Sequence, residues 1–376
     1  MKNINSIYTC TLLLCCTLFA CSKVTNNTDG SIGKVQIKNE RFIITDPDLL
    51  ATFNRPRLRQ HKTGNGELIL YFFDNLLKSV VFIDTEKKQT FRSVKILLEG
   101  PNGISAPNDA LVISDSEILV AEANRINIID YEGNVLRRTQ TRLPEAFSNT
   151  FFSIRGNNTH FEQGSENVFL VNPPRSENSI DFMSKDPLIS ILDLESLKLT
   201  MTDAMLPEKF IFEDAYFDLS NLPYVTPYKD KLYLTFRVDK NLFEYDIKNE
   251  TFKEIILDSP NADPMAKPSP KSNYPNRRTR YTDLFNTQTF LYPVFTKNYI
   301  YRPHSRAKNP DINPMHEMYL SVYDFDFNLL KEMNLGDFGM LGSPFKLNES
   351  IAFLDMNMST EGELIIHSFS AVDENH

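Results

Sequence analysis

Residues 106–139 read APNDALVISDSEILVAEANRINIIDYEGNVLRRT, and the rhythm of this stretch decides the fold. Leu111-Val112-Ile113 is an apolar run, Ser114-Asp115-Ser116 a turn, and Ile118-Leu119-Val120-Ala121 a second run. Asn124-Arg125 turns into Ile126-Asn127-Ile128-Ile129-Asp130, and Tyr131-Glu132-Gly133-Asn134 turns again into Val135-Leu136-Arg137-Arg138. Apolar runs this short, bounded by Gly, Asn, Asp and Ser, are strands joined by tight turns. Four antiparallel strands in one such unit make a propeller blade.

The unit recurs. Val81-Phe82-Ile83-Asp84, Ile191-Leu192-Asp193, Phe243-Glu244-Tyr245-Asp246 and Val322-Tyr323-Asp324 repeat the ending Ile128-Ile129-Asp130. The intervals between them are uneven, as in a fixed repeat that carries insertions. An aspartate after a strand is ordinary turn chemistry, so these five are expected to shape hairpins and not to bind metal. A sixth unit runs through Phe345-Lys346-Leu347, Ile351-Ala352-Phe353-Leu354 and Leu364-Ile365-Ile366, and it lacks a fourth strand. At the other end, Val35-Gln36-Ile37 to Phe42-Ile43-Ile44 has no unit of its own. An all-β, six-bladed β-propeller whose last blade is closed by an N-terminal strand satisfies both ends and hides both open edges. The domain is expected over residues 33–372.

The amino terminus carries an address. A cationic tip, Met1-Lys2-Asn3, precedes an apolar run from Ile7 to Phe19 that ends in Ala20. That is the form of a secretory signal, too short for the roughly 20 residues that span a bilayer. Residues 1–20 are therefore expected to be a signal peptide. Leu18-Phe19-Ala20-Cys21 resembles the lipobox of bacterial lipoproteins, which implies lipidation of Cys21. All four cysteines, Cys10, Cys15, Cys16 and Cys21, lie in this segment. The mature chain would keep one, so no internal disulfide, thiol catalysis or cysteine-bound metal is expected. Residues 21–32 are polar after Val24 and are expected to be a lipidated tether. Ser22 is not the aspartate that retains lipoproteins in an inner membrane, so the resemblance implies the outer membrane, on its periplasmic face.

Removing Lys2 with the signal leaves 39 basic against 49 acidic residues. An acidic chain is a poor general partner for nucleic acid. The partners expected are the membrane, through the lipid, and an unidentified ligand or envelope protein. The chain has no tryptophan but 28 Phe and 15 Tyr, a composition that favours strands.

Gly100-Pro101-Asn102-Gly103-Ile104 leading to Pro107-Asn108-Asp109, with the run from Val120 to Gly133, looks like the blades of NHL-type propellers. Together with the lipobox, the mature chain resembles the six-bladed propeller lipoproteins of Bacteroidota known as domain of unknown function 4221. The resemblance implies a fold and a compartment and carries no activity.

In a four-stranded blade, the loop joining strands two and three opens on the same side as the link to the next blade. The extra residues fall in these loops, at 172–186, 201–222, 258–281 and 303–317, and long loops on one rim are where binding usually lives. The rim is locally basic, with Arg55, Arg57 and Arg59, then Arg277, Arg278 and Arg280, then Arg302, His304, Arg306 and Lys308 on the insertion of blade 5. Convergence of these groups favours an anionic ligand such as a carboxylate or phosphate. The candidate ligand-binding residues are Arg57, Arg59, Asn108, Arg155, Tyr224, Arg278, Arg302 and His304.

Catalytic motifs fail in turn. His316-Glu317 lacks the second histidine of a zinc helix. Asp324-Phe325-Asp326-Phe327-Asn328 begins like a calcium loop, but Leu329 replaces its glycine and Leu335 its final glutamate. Gly64-Asn65-Gly66 is a hairpin turn, and no Gly-x-Ser-x-Gly elbow exists. No cofactor is expected. The leading expectation is a binding or scaffolding propeller. The competing one is a metal-assisted hydrolase or lyase built on His304, Asp311 and His316 of the blade 5 insertion.

Overall fold

Strands at the middle of blades 1 to 4 are mostly apolar because both of their faces are covered. The computed structural model describes residues 35–45, 57–122, 125–140, 159–161, 164–172, 187–216, 223–263, 265, 268–270, 288–307, 316–336, 341–356, 359 and 362–373. All sheets belong to one unit, Ile32–His376.

Strand β1 (Val35–Thr45) comes first in the chain but lies in the last blade. Blade 1 is β2 (Arg59–Lys62), β3 (Leu68–Asp74), β4 (Ser79–Asp84) and β5 (Gln89–Lys95). Blade 2 is β6 (Asp109–Val112), β7 (Ile118–Ala121), β8 (Arg125–Ile129) and β9 (Val135–Gln140). Blade 3 is β10 (Thr159–Phe161), β11 (Asn167–Val171), β12 (Ile189–Asp193) and β13 (Leu199–Met201). The short β14 (Ala215–Tyr216) precedes blade 4, which is β15 (Tyr224–Tyr228), β16 (Lys231–Thr235), β17 (Leu242–Asp246) and β18 (Thr251–Ile255). β14 pairs with β19 (Ser269–Pro270) outside the blades. In blade 5 the inner strand is broken into β20 (Thr289–Phe290) and β21 (Val294–Phe295), and the gap holds Pro293, which has no N–H for a ladder. β22 (Ile300–Ala307), β23 (His316–Tyr323) and β24 (Leu329–Gly336) complete it. Blade 6 is β25 (Phe345–Leu347), β26 (Ser350–Leu354), β27 (Glu363–Asp373) and, outermost, β1. The chain is a six-bladed β-propeller closed by its N-terminal strand.

The core is six seams, not one centre. Because strand side chains alternate, Leu70 and Phe72 pack against blade 6 while Tyr71 and Phe73 pack against blade 2. The same alternation gives one apolar cluster to each remaining seam. β1 pairs with β27 without a register shift from Val35↔Asp373 to Thr45↔Glu363. Ile44 enters the seam between blades 6 and 1, and Ile37 that between blades 5 and 6.

The repeated aspartates do turn work. Asp84 Oδ1 accepts the N–H groups of Glu86 and Lys87, Asp130 those of Glu132 and Asn134, and Asp246 those of Lys248 and Asn249. Asp193 and Asp324 do the same for Ser196 and for Asp326 and Asn328. The backbone N–H of Lys87 at Asp84, and the Asn134 amide at Asp130, hold those carboxyls below the usual range. Gly133, at φ 86, is required in its hairpin, since a Cβ there would lie 2.8 Å from the Lys95 carbonyl oxygen.

Candidate functional site

Inner strands from all six blades surround a cavity of about 390 Å³ on the ring axis, a size suited to a small molecule. Its lining reaches Lys62, Val112, Phe161, Tyr228 and Phe295, the last residues of their strands. The cavity therefore extends toward the face that carries the first hairpin of each blade. The long-loop rim is the other face, and most of its inserted residues lie outside the described ones.

Blade 1 supplies a polar row. Arg59 clamps the start of the next inner strand, with Nη1 to Asp109 Oδ1 at 2.9 Å, Nη2 to Asp109 Oδ2 at 2.5 Å and Nη1 to the Ala110 carbonyl at 2.9 Å. Burial opposes the Arg59 charge, but the Asp109 carboxylate outweighs it and raises the guanidinium pKa. Arg57 has no such partner. Its guanidinium lies 5.6 Å from the centre of the Tyr292 ring, and its buried Nη1 makes no hydrogen bond. Burial lowers the Arg57 pKa, opposed by Tyr292. At the hairpin end, His61 Nε2 meets Asp115 Oδ1 at 2.8 Å, and the Gly64 N–H donates to Asp115 Oδ2 at 2.7 Å.

Across the channel the wall is apolar. Phe161, Val225 and Val294 line it, and Tyr228 stacks on Phe295 at 4.6 Å with the rings inclined by 15°. Phe325 also stacks with Tyr228, at 5.7 Å, and Lys229 Nζ lies 5.1 Å from the Tyr228 ring. Four cations, Arg57, Arg59, Lys62 and Lys346, stand among the described lining residues, and no Asp or Glu does. Such a lining favours an anion with an apolar part.

Two of the eight residues expected from the sequence thus line the cavity, Arg57 and Arg59. Tyr224 stands beside it, edge-on to Tyr292 at 5.6 Å. Asn108 is exposed just before β6, and its neighbour Asp109 makes the contact with Arg59. Arg155 and Arg278 lie outside the described residues. The expected position of Arg302 and His304 needs correction. Both lie in β22, not on an insertion, and both are buried in the seam with blade 4. Arg302 Nη2 donates to the carbonyls of Asp239 and Asn241 at 3.1 and 3.3 Å, and its guanidinium lies 4.7 Å above the Phe290 ring. The cause is strand register: Phe290↔His304↔Tyr319 and Arg302↔Ser321↔Glu332 form cross-strand rows. Asp311 and the His316 side chain lie outside the described residues, and among those described no three His, Cys, Asp or Glu side chains gather to hold a metal. Sequence reading missed Tyr71, Tyr228, Tyr292, Phe295 and Lys346 of the lining, because nothing local marks an aromatic residue or a lone lysine as facing a channel.

His304 carries a pH prediction. Its ring is stacked between Phe290 at 5.3 Å and Tyr319 at 5.1 Å, and its Nε2 is buried without a partner. Burial lowers its pKa to about 4 against the attraction of Glu332, with Arg302 and Arg306 lowering it further. The unfolded chain, with a histidine near 6.5, therefore takes up the proton first as pH falls. Stability is full above about pH 6.5 and is lost between there and pH 4, by up to about 3 kcal/mol. Denaturant melts of wild type at pH 7 and pH 5 should differ, and His304→Phe should remove much of that difference. An unchanged pH dependence in His304→Phe would assign the loss to other groups.

The match to known proteins agrees with the fold. Residues 35–334 fit the model of the domain of unknown function DUF4221. The chain belongs to the DUF4221 family. A DUF4221 member from Bacteroides vulgatus has a crystal structure similar to this one, with 17% identity and a TM-score of 0.72, covering 91% of this chain and 99% of that one. A protein described as exported, from Bacteroides fragilis, is similar at 10% identity and a TM-score of 0.56, covering 92% and 98%. At these identities the likeness is one of fold. A search of curated proteins finds no match.

Proposed function

We propose that this DUF4221 propeller is a binding module, anchored by a lipid on Cys21 to the periplasmic face of the outer membrane, that holds a small anionic ligand in its central channel. One observation carries the ligand reading: Arg57 is cationic, its Nη1 is buried without a partner, and the described lining around it offers no carboxylate. A buried charge that only Tyr292 and the more distant Asp109 partly compensate is costly, and an anion at Arg57 lowers that cost. Arg59 supports the site differently, since its charge is already matched by Asp109.

Matched acid and amide probes test this reading by calorimetry. 3-Phenylpropionate should bind wild type at least tenfold more tightly than 3-phenylpropanamide, and Arg57→Gln should erase the difference. Screening makes the acid's affinity fall with salt. If acid and amide bind alike, or if Arg57→Gln keeps the preference, the channel does not select anions. The anchor is tested separately: wild type should incorporate labelled palmitate and Cys21→Ala should not. Equal labelling would remove the lipid from the proposal and leave the channel untouched.

A further inference from the structure

We infer that the channel ligand is a small amphipathic acid, with one carboxylate or phosphate seated at Arg57 and an apolar body lying against the wall of blades 3–5. This rests on the anion reading above and adds the class of molecule that bears the charge. The motive is the two-sidedness of the cavity. Arg57, Arg59 and Gln60 descend one side on blade 1, while Phe161, Val225, Tyr228 and Phe295 face them from blades 3, 4 and 5. In a six-bladed ring, blade 4 stands opposite blade 1, so cation and aromatic wall confront each other across the axis.

The geometry bounds the ligand's size. From Arg57 to Lys62 the polar row spans about 16 Å, at roughly 3.3 Å per extended residue. One acidic group therefore engages Arg57 and leaves room for an apolar portion several carbons long. A bare inorganic anion would satisfy Arg57 but leave the half-buried Phe161 and Tyr228 facing water, which disfavours it. Half-buried Phe161 and Tyr228 line the hairpin end of the cavity, where a ring or chain of the ligand would rest. Half-buried Lys346, on the lining from blade 6, adds positive field that draws acids inward.

Calorimetry on the full chain tests the inference with 3-phenylpropionate, acetate and inorganic phosphate as probes. The expected result is binding of 3-phenylpropionate at least tenfold tighter than either acetate or phosphate. Burial of the phenyl group should also give a negative heat-capacity change that acetate lacks. Tyr228→Ser should weaken 3-phenylpropionate severalfold while leaving acetate unchanged. The heat-capacity comparison uses wild type alone, so it decides the matter even where Tyr228→Ser fails to fold. If acetate or phosphate binds as tightly as 3-phenylpropionate, the apolar body is not recognised and this inference falls while the anion reading stands. If 3-phenylpropanamide binds as tightly as the acid, the anion reading falls first and takes the inference with it.

Discussion

A chain that begins at Asp46 is expected to lose cooperative folding, or to melt well below one that begins at Ile32. The difference between them contains β1, the outermost strand of the last blade, which is paired over its whole length with β27. Removing it takes away the strand that joins the two ends of the described chain in one blade. Val35 and Ile44 are 1% and 0% exposed, and each fully buried apolar side chain of this size contributes about 1.5–3 kcal/mol. Losing the two together costs about 3–6 kcal/mol, comparable with the whole margin of many domains, roughly 5–15 kcal/mol. Deletion also strips the ladder from β27 and leaves a long unpaired edge, which invites association. Thermal melts and light scattering of both chains measure this. Equal melting points with no aggregation would mean that the blades close without β1.

The propeller was legible because its signals are local. Short apolar runs, aspartate turns and the unmatched strands at the two ends each sit within a few neighbouring residues. Ile118-Leu119-Val120-Ala121 announces a doubly covered strand without reference to anything distant, and Asp84 and Asp130 announce their hairpins. The site was legible only in part. Arg57 and Arg59 stand out as charges at the start of an inner strand, but their division of labour depends on Asp109, fifty residues beyond Arg59. Arg302-Pro303-His304-Ser305-Arg306 contains no apolar residue, so it reads as a loop insertion. Its strand character comes from pairing on both sides, with β20 and with β23. Side chains that look solvated in one dimension thereby enter a seam. Arg306, one step farther along β22, remains exposed, so depth along the strand and not residue type decides which cation is buried.

Substituting Arg302 separates the seam from the site, with Arg302→Ala expected to cost about 3–5 kcal/mol. Arg302 is 2% exposed, and truncation removes a large side chain from the seam between blades 4 and 5. It also strands the Asp239 and Asn241 carbonyls, which accept from Nη2, and an unsatisfied buried acceptor costs about 1–3 kcal/mol. One term acts the other way. Burial lowers the guanidinium pKa to about 10, the mark of a charge held where it is disfavoured, so removing the charge returns part of the loss. Arg302→Met isolates that term: it keeps the stem over Phe290, fills most of the volume and removes the charge. Its cost should stay below about 1.5 kcal/mol. Urea melts of the two variants order these contributions. If Met is as damaging as Ala, the carbonyl bonds outweigh packing and desolvation together. If Ala is harmless, Arg302 is solvated and the buried seam is wrong. Because the side chain faces blade 4 and not the axis, Arg302→Met should also leave binding of 3-phenylpropionate unchanged, while Arg57→Gln abolishes its preference over the amide at little cost to stability.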